Sequence, residues 1–324
     1  MSPLSSRARS RVRVAVTLGD PRGIGPEVAA EAARRLRESA ASIELLFIGP
    51  TGTAADNAAD AFDVVGAWTG GNAAEAGRLA GLAIERGAQL ALEGAVDALV
   101  TGPIDKAALH AAGWSEPGHT ELLARLCGAA DPVMMMCAET TLAGGALRVV
   151  LATTHHALRD VPALFTRERL VRQTRATYEG LRTLWDMREP RLALCAFNPH
   201  ASDGGRFGTE ESILYVPALE ELRSEGIEAT GPIPADTVFV RALRGEFDAV
   251  IAPYHDVGMA AFKTVAFGYG VNVTLGLPIL RTSPDHGTAL DIAGRGMADA
   301  SSMLEAIRLA VVLAARRNAA LTRA

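Results

Sequence analysis

The sequence predicts an α/β fold in which helices pack against a largely parallel β-sheet. Short apolar strand patterns alternate with longer helical patterns rich in alanine and leucine, which is typical of repeated βα units. The composition agrees with this fold, because 49% of the residues are hydrophobic and only 5% are aromatic. At 324 residues, the chain is long enough to form one large or two medium domains without disulfide bonds.

Strand patterns in the first part of the chain end in turns rich in glycine and proline. Strands are predicted at Val12–Thr17, 43–48 and 97–100, and helices follow LGDPRGIGPE and span 72–93. Ligands of parallel sheets bind at the carboxyl ends of strands, so the turns LGDPRGIGPE and TGPIDK are candidate binding segments. Lys106 in the second turn is either a site residue or a solvated lysine at a helix start.

The helix pattern after Gly118 begins with two residues that could bind an anion. His119 and Thr120 stand where free N–H groups and the helix dipole favour negative charge. An equally simple interpretation makes Thr120 the N-cap of this helix. Farther along, 132–138 and 147–152 are predicted to form an antiparallel hairpin, which indicates a second domain or a dimer contact. Further helices are predicted at 166–185, Ala235–Leu243 and 301–317, and a strand at 192–196.

Charge and composition exclude several classes of protein. The net charge is −5 and no basic tract is present, which argues against a nucleic-acid partner. No apolar run is long enough for a membrane span or a signal peptide, so we expect a cytoplasmic protein with a short disordered lead over 1–10. The three cysteines lack CxxC spacing and are expected to be reduced.

Three histidines share one sequence context that is compatible with a metal site. His155, His200 and His255 each follow an apolar strand pattern directly. Parallel strands would bring these ends to one rim of a sheet, where three imidazoles could bind a divalent ion. The alternative is that each is a hydrogen-bonded loop residue. His156 is adjacent to His155, and in an extended chain only one of the two can face a given site.

The segment 248–299 is unusually rich in polar reactive groups between apolar strands. Lys263, Asn272 and Arg281 supply what a phosphate or carboxylate requires, although a lone cation is more often a surface charge. The segment continues into a glycine-rich loop in which Gly287 or Thr288 could place backbone N–H groups against a nucleotide. The alternative is a tight loop that leads into the last helix.

Ordered motifs across most of the chain give a specific resemblance. The chain resembles the 4-hydroxythreonine-4-phosphate dehydrogenase family, the PdxA-like dehydrogenases of vitamin B6 biosynthesis. The matching segments are GDPRGIGPE, TGPIDK, PGHTELLA, LATTHHALRDVP, NPHASDGGRFGTEE, GPIPADTVF and YHDVGMAAFKTVAFGYGVNVTLGLPILRTSPDHGTALDIAGRG.

The resemblance implies two α/β/α lobes with a central cleft, as in isocitrate and isopropylmalate dehydrogenases. Residues 1–130 with 280–324 would form the nucleotide-side lobe, and 131–279 the lobe of the metal and the dimer contact. It also implies a homodimer with the active site at the subunit boundary, NAD or NADP, and one divalent ion such as zinc, magnesium or cobalt. The implied ligands are His155, His200 and His255 for the metal; His119, Thr120, Lys263, Asn272 and Arg281 for substrate; and Asp285, His286, Gly287 and Thr288 for the nucleotide.

The implied chemistry is oxidation of the secondary alcohol of 4-hydroxythreonine 4-phosphate followed by loss of carbon dioxide. Lys106 and Asp256 are the candidates for the group that takes the hydroxyl proton. Two departures from the family pattern, Arg22 and Val257, bear on the substrate. Threonate or erythronate 4-phosphate and an aromatic cis-dihydrodiol are alternative substrates. A metal-dependent lyase or phosphate transferase and a non-catalytic binding protein are the rival classes.

Overall fold

A computed structural model describes residues 11–39 and 43–323, and the lead expected over 1–10 lies outside them. The chain divides into two compact units. Unit 1 comprises the chain up to Cys127 together with Ile279–Thr282 and His286–Ala315. Unit 2 comprises Gly128–Pro278, Ser283–Asp285 and the chain from Arg316 onward.

Unit 1 is built from βα units around a parallel sheet. Its elements in chain order are β1 (Val12–Thr17), α1 (Gly25–Glu38), β2 (Ile43–Thr51), β3 (Ala61–Ala67), α2 (Ala73–Leu92), β4 (Ala98–Thr101), α3 (Lys106–Ala111) and α4 (His119–Cys127).

The unit 1 strands follow the order β3-β2-β1-β4, and a later strand pairs with β4 in parallel. Helix α2 contacts β1, β2 and β4, which buries the alanine- and leucine-rich face that its sequence period predicts. Asn72 caps α2 by accepting a hydrogen bond from the backbone N–H of Glu75. Pro26 stands in the first turn of α1, where its missing N–H costs nothing.

Unit 2 contains the antiparallel pair and the later βα units. The next elements are β5 (Val133–Ala138), β6 (Leu147–Leu151), α5 (Val161–Leu164), α6 (Arg167–Trp185), β7 (Leu192–Cys195), α7 (Val216–Ser224), β8 (Ala229–Ile233), α8 (Ala235–Leu243), β9 (Ala249–Ala252), α9 (His255–Ala266) and β10 (Val271–Leu275). The chain then continues through β11 (Arg281–Pro284), the strand that pairs with β4, and α10 (Ser301–Arg323).

The unit 2 strands follow the order β10-β5-β6-β9-β7-β8. The pairs β10/β5 and β5/β6 are antiparallel, whereas β6/β9, β9/β7 and β7/β8 are parallel. The core of this unit is an apolar cluster formed by strand residues and the inner faces of α8 and α9, including Val149, Val250 and Phe262. The mixed sheet brings the carboxyl ends of β6, β9 and β7 to one edge, with β9 between the other two.

The α/β class and the antiparallel 132–152 hairpin are confirmed. The sequence did not predict β3, nor β10 and β11 in the segment that was interpreted as a site. Ala61–Ala67 forms β3 at the end of the strand order, where it pairs only with β2 among the described residues. Its residues are mostly half-exposed, so the sequence lacks the continuous apolar run that marks a central strand. Among the described residues, no helix combines the length and apolar character needed to span a bilayer.

Candidate active site

The strand ends of unit 2 bring two of the three predicted metal-binding histidines into contact. Thr153 follows β6 and is buried; its hydroxyl donates to the carbonyl oxygen of Pro253 at 2.8 Å. This bond ties the chain after β6 to the chain after β9. The rings of His155 and His255 then lie with their centroids 5.2 Å apart. Of the adjacent pair His155 and His156, it is therefore His155 whose ring faces His255.

His200 is presented by a loop in an unusual backbone conformation. His200, Ala201, Ser202 and Asp203 have φ values of 51°, 53°, 70° and 46°. Four successive residues with side chains in the left-handed region are costly, so the surroundings must hold them there. The carboxylate of Glu211, which is only 5% exposed, accepts hydrogen bonds from the Ser202 hydroxyl and from the Asn198 backbone.

The Glu211 carboxylate is ionised despite its burial. Burial opposes its charge, but hydrogen bonds from Asn198 and Ser202 outweigh this and lower the pKa of Glu211. Aromatic rings also connect these loops: between ring centroids, Phe197 stacks on Phe165 at 5.3 Å and meets Tyr254 edge to face at 6.4 Å. The segments before His200 and His255 therefore share one apolar support.

The three predicted metal ligands are imidazoles, which suit a metal ion of intermediate hardness. The three side chains do not, however, form a complete metal-binding group in the structure. Among the side chains that the structure describes, no group of three His, Cys, Asp or Glu has metal-binding geometry. His155 and His255 are close, and His200 follows the neighbouring strand β7. Imidazole nitrogens favour zinc or cobalt over magnesium, which prefers oxygen ligands. The residues thus fit such an ion in chemical type.

Two residues that follow His255 have clear local roles. The Asp256 carboxylate lies 2.8 Å from His255 Nδ1, and its side chain is 86% exposed. A carboxylate on the second ring nitrogen orients an imidazole and fixes its tautomer. Val257, one of the departures from the family pattern, packs against the apolar core of unit 2. This packing explains why an aliphatic residue is suitable at this position.

Two predicted ligand-binding residues of unit 2 form an ion pair. Lys263, on α9, places its Nζ 2.9 Å from Oδ2 of Asp285, whose side chain is 6% exposed. A Cβ on Gly270 would lie 2.8 Å from the same Asp285 oxygen, so only glycine allows this approach. Asn272, on β10, has a buried Oδ1 for which the described residues provide no hydrogen-bond partner. Such an atom indicates a donor that arrives with a ligand.

Arg281 is a buried cation in unit 1. It begins β11, is 2% exposed, and donates from Nε and Nη2 to the Thr101 hydroxyl at 3.1 and 2.6 Å. Burial lowers the pKa of Arg281 to about 10, and the charge of Glu121 opposes this shift. Arg281 therefore remains a cation at neutral pH. A buried and orientated guanidinium is suited to bind phosphate or carboxylate.

His119 is a neutral histidine with an available acceptor. Burial, together with the cations Arg281 and Lys106, holds the pKa of His119 well below its ordinary value. Its ring donates to the backbone of Gly102, and Nε2 is buried without a hydrogen-bond partner among the described residues. In this tautomer Nε2 can accept a proton donor such as a hydroxyl. Thr120 is the second residue of α4 rather than its cap.

The lowered pKa of His119 predicts a pH-dependent stability. The unfolded chain binds a proton at this residue near pH 6.5 and the folded chain does not, so stability falls as the pH drops below that value. We expect a loss of up to about 1.4 kcal/mol per pH unit in the free energy of unfolding. His119→Asn should remove this slope in urea titrations between pH 7.5 and 5.0. His110→Asn, at an exposed histidine of α3, is the control and should leave it unchanged.

The glycine-rich turn after β1 contacts two other predicted site segments of unit 1. Gly19 has a φ of 75°, and a Cβ there would collide with the carbonyl oxygen of Pro103. The N–H of Ile24 donates to the carbonyl oxygen of Thr288 at 2.9 Å. The turn therefore packs against the TGPIDK turn and against the loop predicted to bind the nucleotide.

The loop predicted to bind the nucleotide has a second histidine with an available acceptor. His286 Nδ1 donates to the carbonyl oxygen of Gly287 at 3.0 Å. Its Nε2 is buried and has no hydrogen-bond partner in the part of the chain that the structure describes. Gly287 itself is exposed. The loop thus offers an acceptor for a hydroxyl or amino group of a ligand.

Sequence reasoning missed several residues that hold the candidate site together. Thr101 and Thr153 bond residues that are distant in sequence, and Glu211 bonds the loop that carries His200. Asp105 was also not predicted, although an aspartate directly before a helix is a recognisable N-cap signal. The other three carry no signal, because a lone threonine or glutamate is common in any loop.

Sequence comparison relates most of the chain to one protein family. Residues 16–310 match the model of the family described as pyridoxal phosphate biosynthetic protein PdxA. A 4-hydroxythreonine-4-phosphate dehydrogenase from Caulobacter vibrioides is 42% identical, and the match covers 94% of this chain and 98% of that protein. A Bradyrhizobium diazoefficiens protein provisionally named D-threonate 4-phosphate dehydrogenase is 40% identical over 94% of this chain and 98% of its own length.

A solved structure from the same group of proteins has a similar fold. The crystal structure of 4-hydroxythreonine-4-phosphate dehydrogenase from Klebsiella pneumoniae superposes with a TM-score of 0.82 and 37% identity, covering 94% of this chain and all of that chain (100%). The fold and these relatives define an oxidoreductase of the dehydrogenase class. The chain belongs to the PdxA family, as the sequence motifs predicted.

Proposed function

We propose that the chain oxidises the secondary alcohol of 4-hydroxythreonine 4-phosphate with NAD, in the synthesis of pyridoxal phosphate. The proposal is carried by the contact between His155 and His255 at the ends of adjacent parallel strands, in a chain of the PdxA family. Neighbouring imidazoles of this kind suit the metal ion on which such an oxidation depends.

The proposed metal ligands are His155, His200 and His255, with zinc or cobalt as the ion. The support is the 5.2 Å separation of the first two rings and the position of His200 after the adjoining strand. Asp256 orients the His255 ring through its 2.8 Å contact with Nδ1. When bound, the metal supplies Lewis acidity at the substrate hydroxyl, and the nicotinamide ring accepts a hydride.

The substrate's anionic and polar groups are assigned to five residues. Arg281 and Lys263 bind the phosphate and carboxylate by charge, and Asn272 offers its buried amide oxygen to a donor. His119 accepts a hydrogen bond from a hydroxyl through its free Nε2, and Thr120 lies beside it at the start of α4.

Lys106 is the proposed acceptor of the hydroxyl proton, a role that requires its neutral amine form, and Asp256 is the second candidate. Lys106 begins α3 at the end of β4 and reaches toward the loop before α4, since a Cβ on Gly118 would lie 3.5 Å from its Cε. Asp256 already bonds His255, which favours an orienting role for it. Oxidation of the alcohol gives a β-keto acid. This acid loses its carboxylate as carbon dioxide, and the carbon that held the carboxylate takes up a proton to give 3-amino-2-oxopropyl phosphate.

The nucleotide is assigned to the loop that contains Asp285, His286, Gly287 and Thr288. Two contacts order this loop in the structure: the ion pair of Asp285 with Lys263, and the bond between Ile24 and Thr288. An exposed Gly287 and the free Nε2 of His286 give it a backbone and an acceptor for a ribose or adenine. By this assignment unit 1 is the nucleotide side, and unit 2 is the side of the metal and the dimer contact.

We also propose a homodimer, which large exposed apolar side chains of unit 2 support. Leu142 is 77% exposed at the turn of the β5–β6 hairpin, and Leu158 and Ile213 are 65% and 60% exposed. Such residues often lie in protein interfaces. Light scattering on the purified protein should give twice the mass of one chain, and a monomer at micromolar concentration would contradict the proposal.

A substrate panel tests the reaction. The protein is incubated with NAD or NADP and with 4-hydroxythreonine 4-phosphate, threonate 4-phosphate, erythronate 4-phosphate or an aromatic cis-dihydrodiol. Reduced nicotinamide and carbon dioxide should form in equal amounts with the first substrate. A chelator should stop both, and added zinc or cobalt should restore them.

The same panel distinguishes oxidation of 4-hydroxythreonine 4-phosphate from the second candidate function, oxidation of threonate 4-phosphate. A threonate 4-phosphate dehydrogenase is favoured by the 40% identical Bradyrhizobium diazoefficiens relative, and preference for that substrate would replace our assignment. No reduction of either nucleotide with any substrate, in protein that binds metal and NAD, would overturn the proposed reaction itself. It would leave a lyase, a transferase or a binding protein as the remaining classes.

A further inference from the structure

Arg22 bridges two carboxylates that belong to different turns of unit 1. Its guanidinium pairs with Asp20 through Nε–Oδ1 at 3.0 Å and Nη2–Oδ2 at 2.7 Å. The same Nη2 lies 3.0 Å from Oδ2 of Asp105. Asp20 is fully buried and the Arg22 side chain is only 22% exposed, so water screens these ion pairs weakly. A geometry of this kind is specific to arginine.

Asp105 uses its two carboxylate oxygens for two different purposes. Oδ1 accepts from the backbone N–H groups of Ala107 and Ala108 at 2.9 and 3.3 Å, which caps α3. Oδ2 binds Arg22. The cap of α3 is therefore anchored to the turn after β1, and the next residue in the chain is Lys106, the first residue of the helix.

The turn that carries Arg22 is itself well fixed. The N–H of Asp20 donates to the carbonyl oxygen of Pro103 at 2.9 Å, in the segment just before Asp105. On the other side, the N–H of Ile24 bonds Thr288, and a Cβ on Gly23 would lie 2.7 Å from the Thr288 carbonyl oxygen. Arg22 thus stands in a rigid turn from which it can hold the start of α3.

We propose that Arg22 is a positioning residue that fixes the start of α3, and with it Lys106, by bridging Asp20 and Asp105. The inference rests on the proposed function for the role of Lys106 in proton transfer. Without Arg22, Asp105 keeps its cap but loses its anchor. Of the six residues of α3, Ala108 and Leu109 are buried, but Lys106 and Ala107 at its start are exposed and are not held by packing. Such a short helix is not stable by itself.

Kinetic measurements on six proteins test the proposal. They are the wild type, Arg22→Ala, Arg22→Lys, Asp105→Asn, the double variant of Arg22→Ala with Asp105→Asn, and Arg34→Ala as a control. Asn keeps an oxygen for capping but carries no charge for Arg22. Arg34 is a matched control, because it also pairs with two acidic residues, Glu31 and Glu38, but on the exposed face of α1.

Arg22→Ala and Asp105→Asn should each lower kcat about 10- to 100-fold, since small displacements of a reacting group have effects of this size. The KM of the phosphorylated substrate should change less than threefold. The double variant should be no worse than the poorer single variant, because both break one bridge. Arg22→Lys should recover part of the loss, as one ammonium group can pair with one carboxylate but cannot form the bidentate bridge. Arg34→Ala should stay within twofold of the wild type.

Amide hydrogen exchange provides a measurement that does not depend on the reaction. The amides of Ala107 and Ala108 should exchange on the order of tenfold faster in Arg22→Ala and Asp105→Asn than in the wild type or in Arg34→Ala. If the wild type shows no dehydrogenase activity but this difference appears, the proposed function fails and the bridge stands.

Three results would overturn the bridge. They are an unchanged kcat in both single variants of an active enzyme, additive losses in the double variant, and unchanged exchange at the start of α3. Should Arg22→Ala fail to fold, Asp105→Asn decides, because it retains the cap and changes a residue that is partly exposed.

Discussion

His155→Ala is expected to lower turnover at least about a thousandfold, the effect of losing a Lewis acid from an alcohol oxidation. The His155 ring lies 5.2 Å from that of His255, so its loss removes half of the imidazole pair that the structure shows. Titration calorimetry with zinc or cobalt alone should show binding weakened by at least about tenfold. The melting temperature should change little, since His155 is exposed.

His156→Ala is the matched control for this experiment. The two histidines are adjacent and both are exposed, so they differ mainly in the direction of their side chains. His156→Ala should retain turnover and metal affinity within about twofold, as surface substitutions usually do. If both variants lose activity equally, or if His156→Ala is the weaker metal binder, the assignment of His155 is wrong.

Arg281→Lys is expected to raise the KM of the phosphorylated substrate about 100-fold. Lysine keeps the positive charge but cannot form paired hydrogen bonds to an anion while also binding Thr101, and the lost bonds amount to roughly 3 kcal/mol. The value of kcat at saturation should fall less than KM rises, because the anion is bound equally in the ground state and the transition state. Steady-state kinetics with varied substrate would measure the change.

Arg148→Lys separates substrate binding from the general cost of altering a buried arginine. Arg148 is 7% exposed and pairs with Glu139, but it lies at the start of β6, away from the strand ends that carry the histidines. It should lower the melting temperature and leave KM unchanged. Equal KM values for Arg281→Lys and the wild type would remove Arg281 from the substrate site.

Local sequence patterns determined most of the secondary structure. The alternation of Val12–Thr17, the turn signals after it and the period of α2 each depend on residues near one another in the chain. The rule that parallel strands place their carboxyl ends at one edge also predicted that His155, His200 and His255 lie at one rim, and the rings of His155 and His255 do lie close together. The pattern failed at Ala61–Ala67, because a half-exposed strand at the end of the sheet lacks a continuous apolar run.

The two departures from the family pattern were visible in the sequence, but their contacts were not. The sequence showed that Arg22 and Val257 are unusual and left both as possible changes to the substrate site. In the structure Val257 packs against the apolar core of unit 2, and Arg22 forms ion pairs with Asp20 and Asp105. The identity of an unusual residue in a motif therefore does not predict which side chains it contacts in the folded protein.

The α/β class and the family follow from the sequence alone. The burial of Arg281 against Thr101 and the pairing of Lys263 with Asp285 emerge only in the folded protein. The physical reason is the range of the interactions. Helices and strands follow from periodicity over a few residues, whereas Arg281 and Thr101 are 180 residues apart and meet only because β11 pairs with β4.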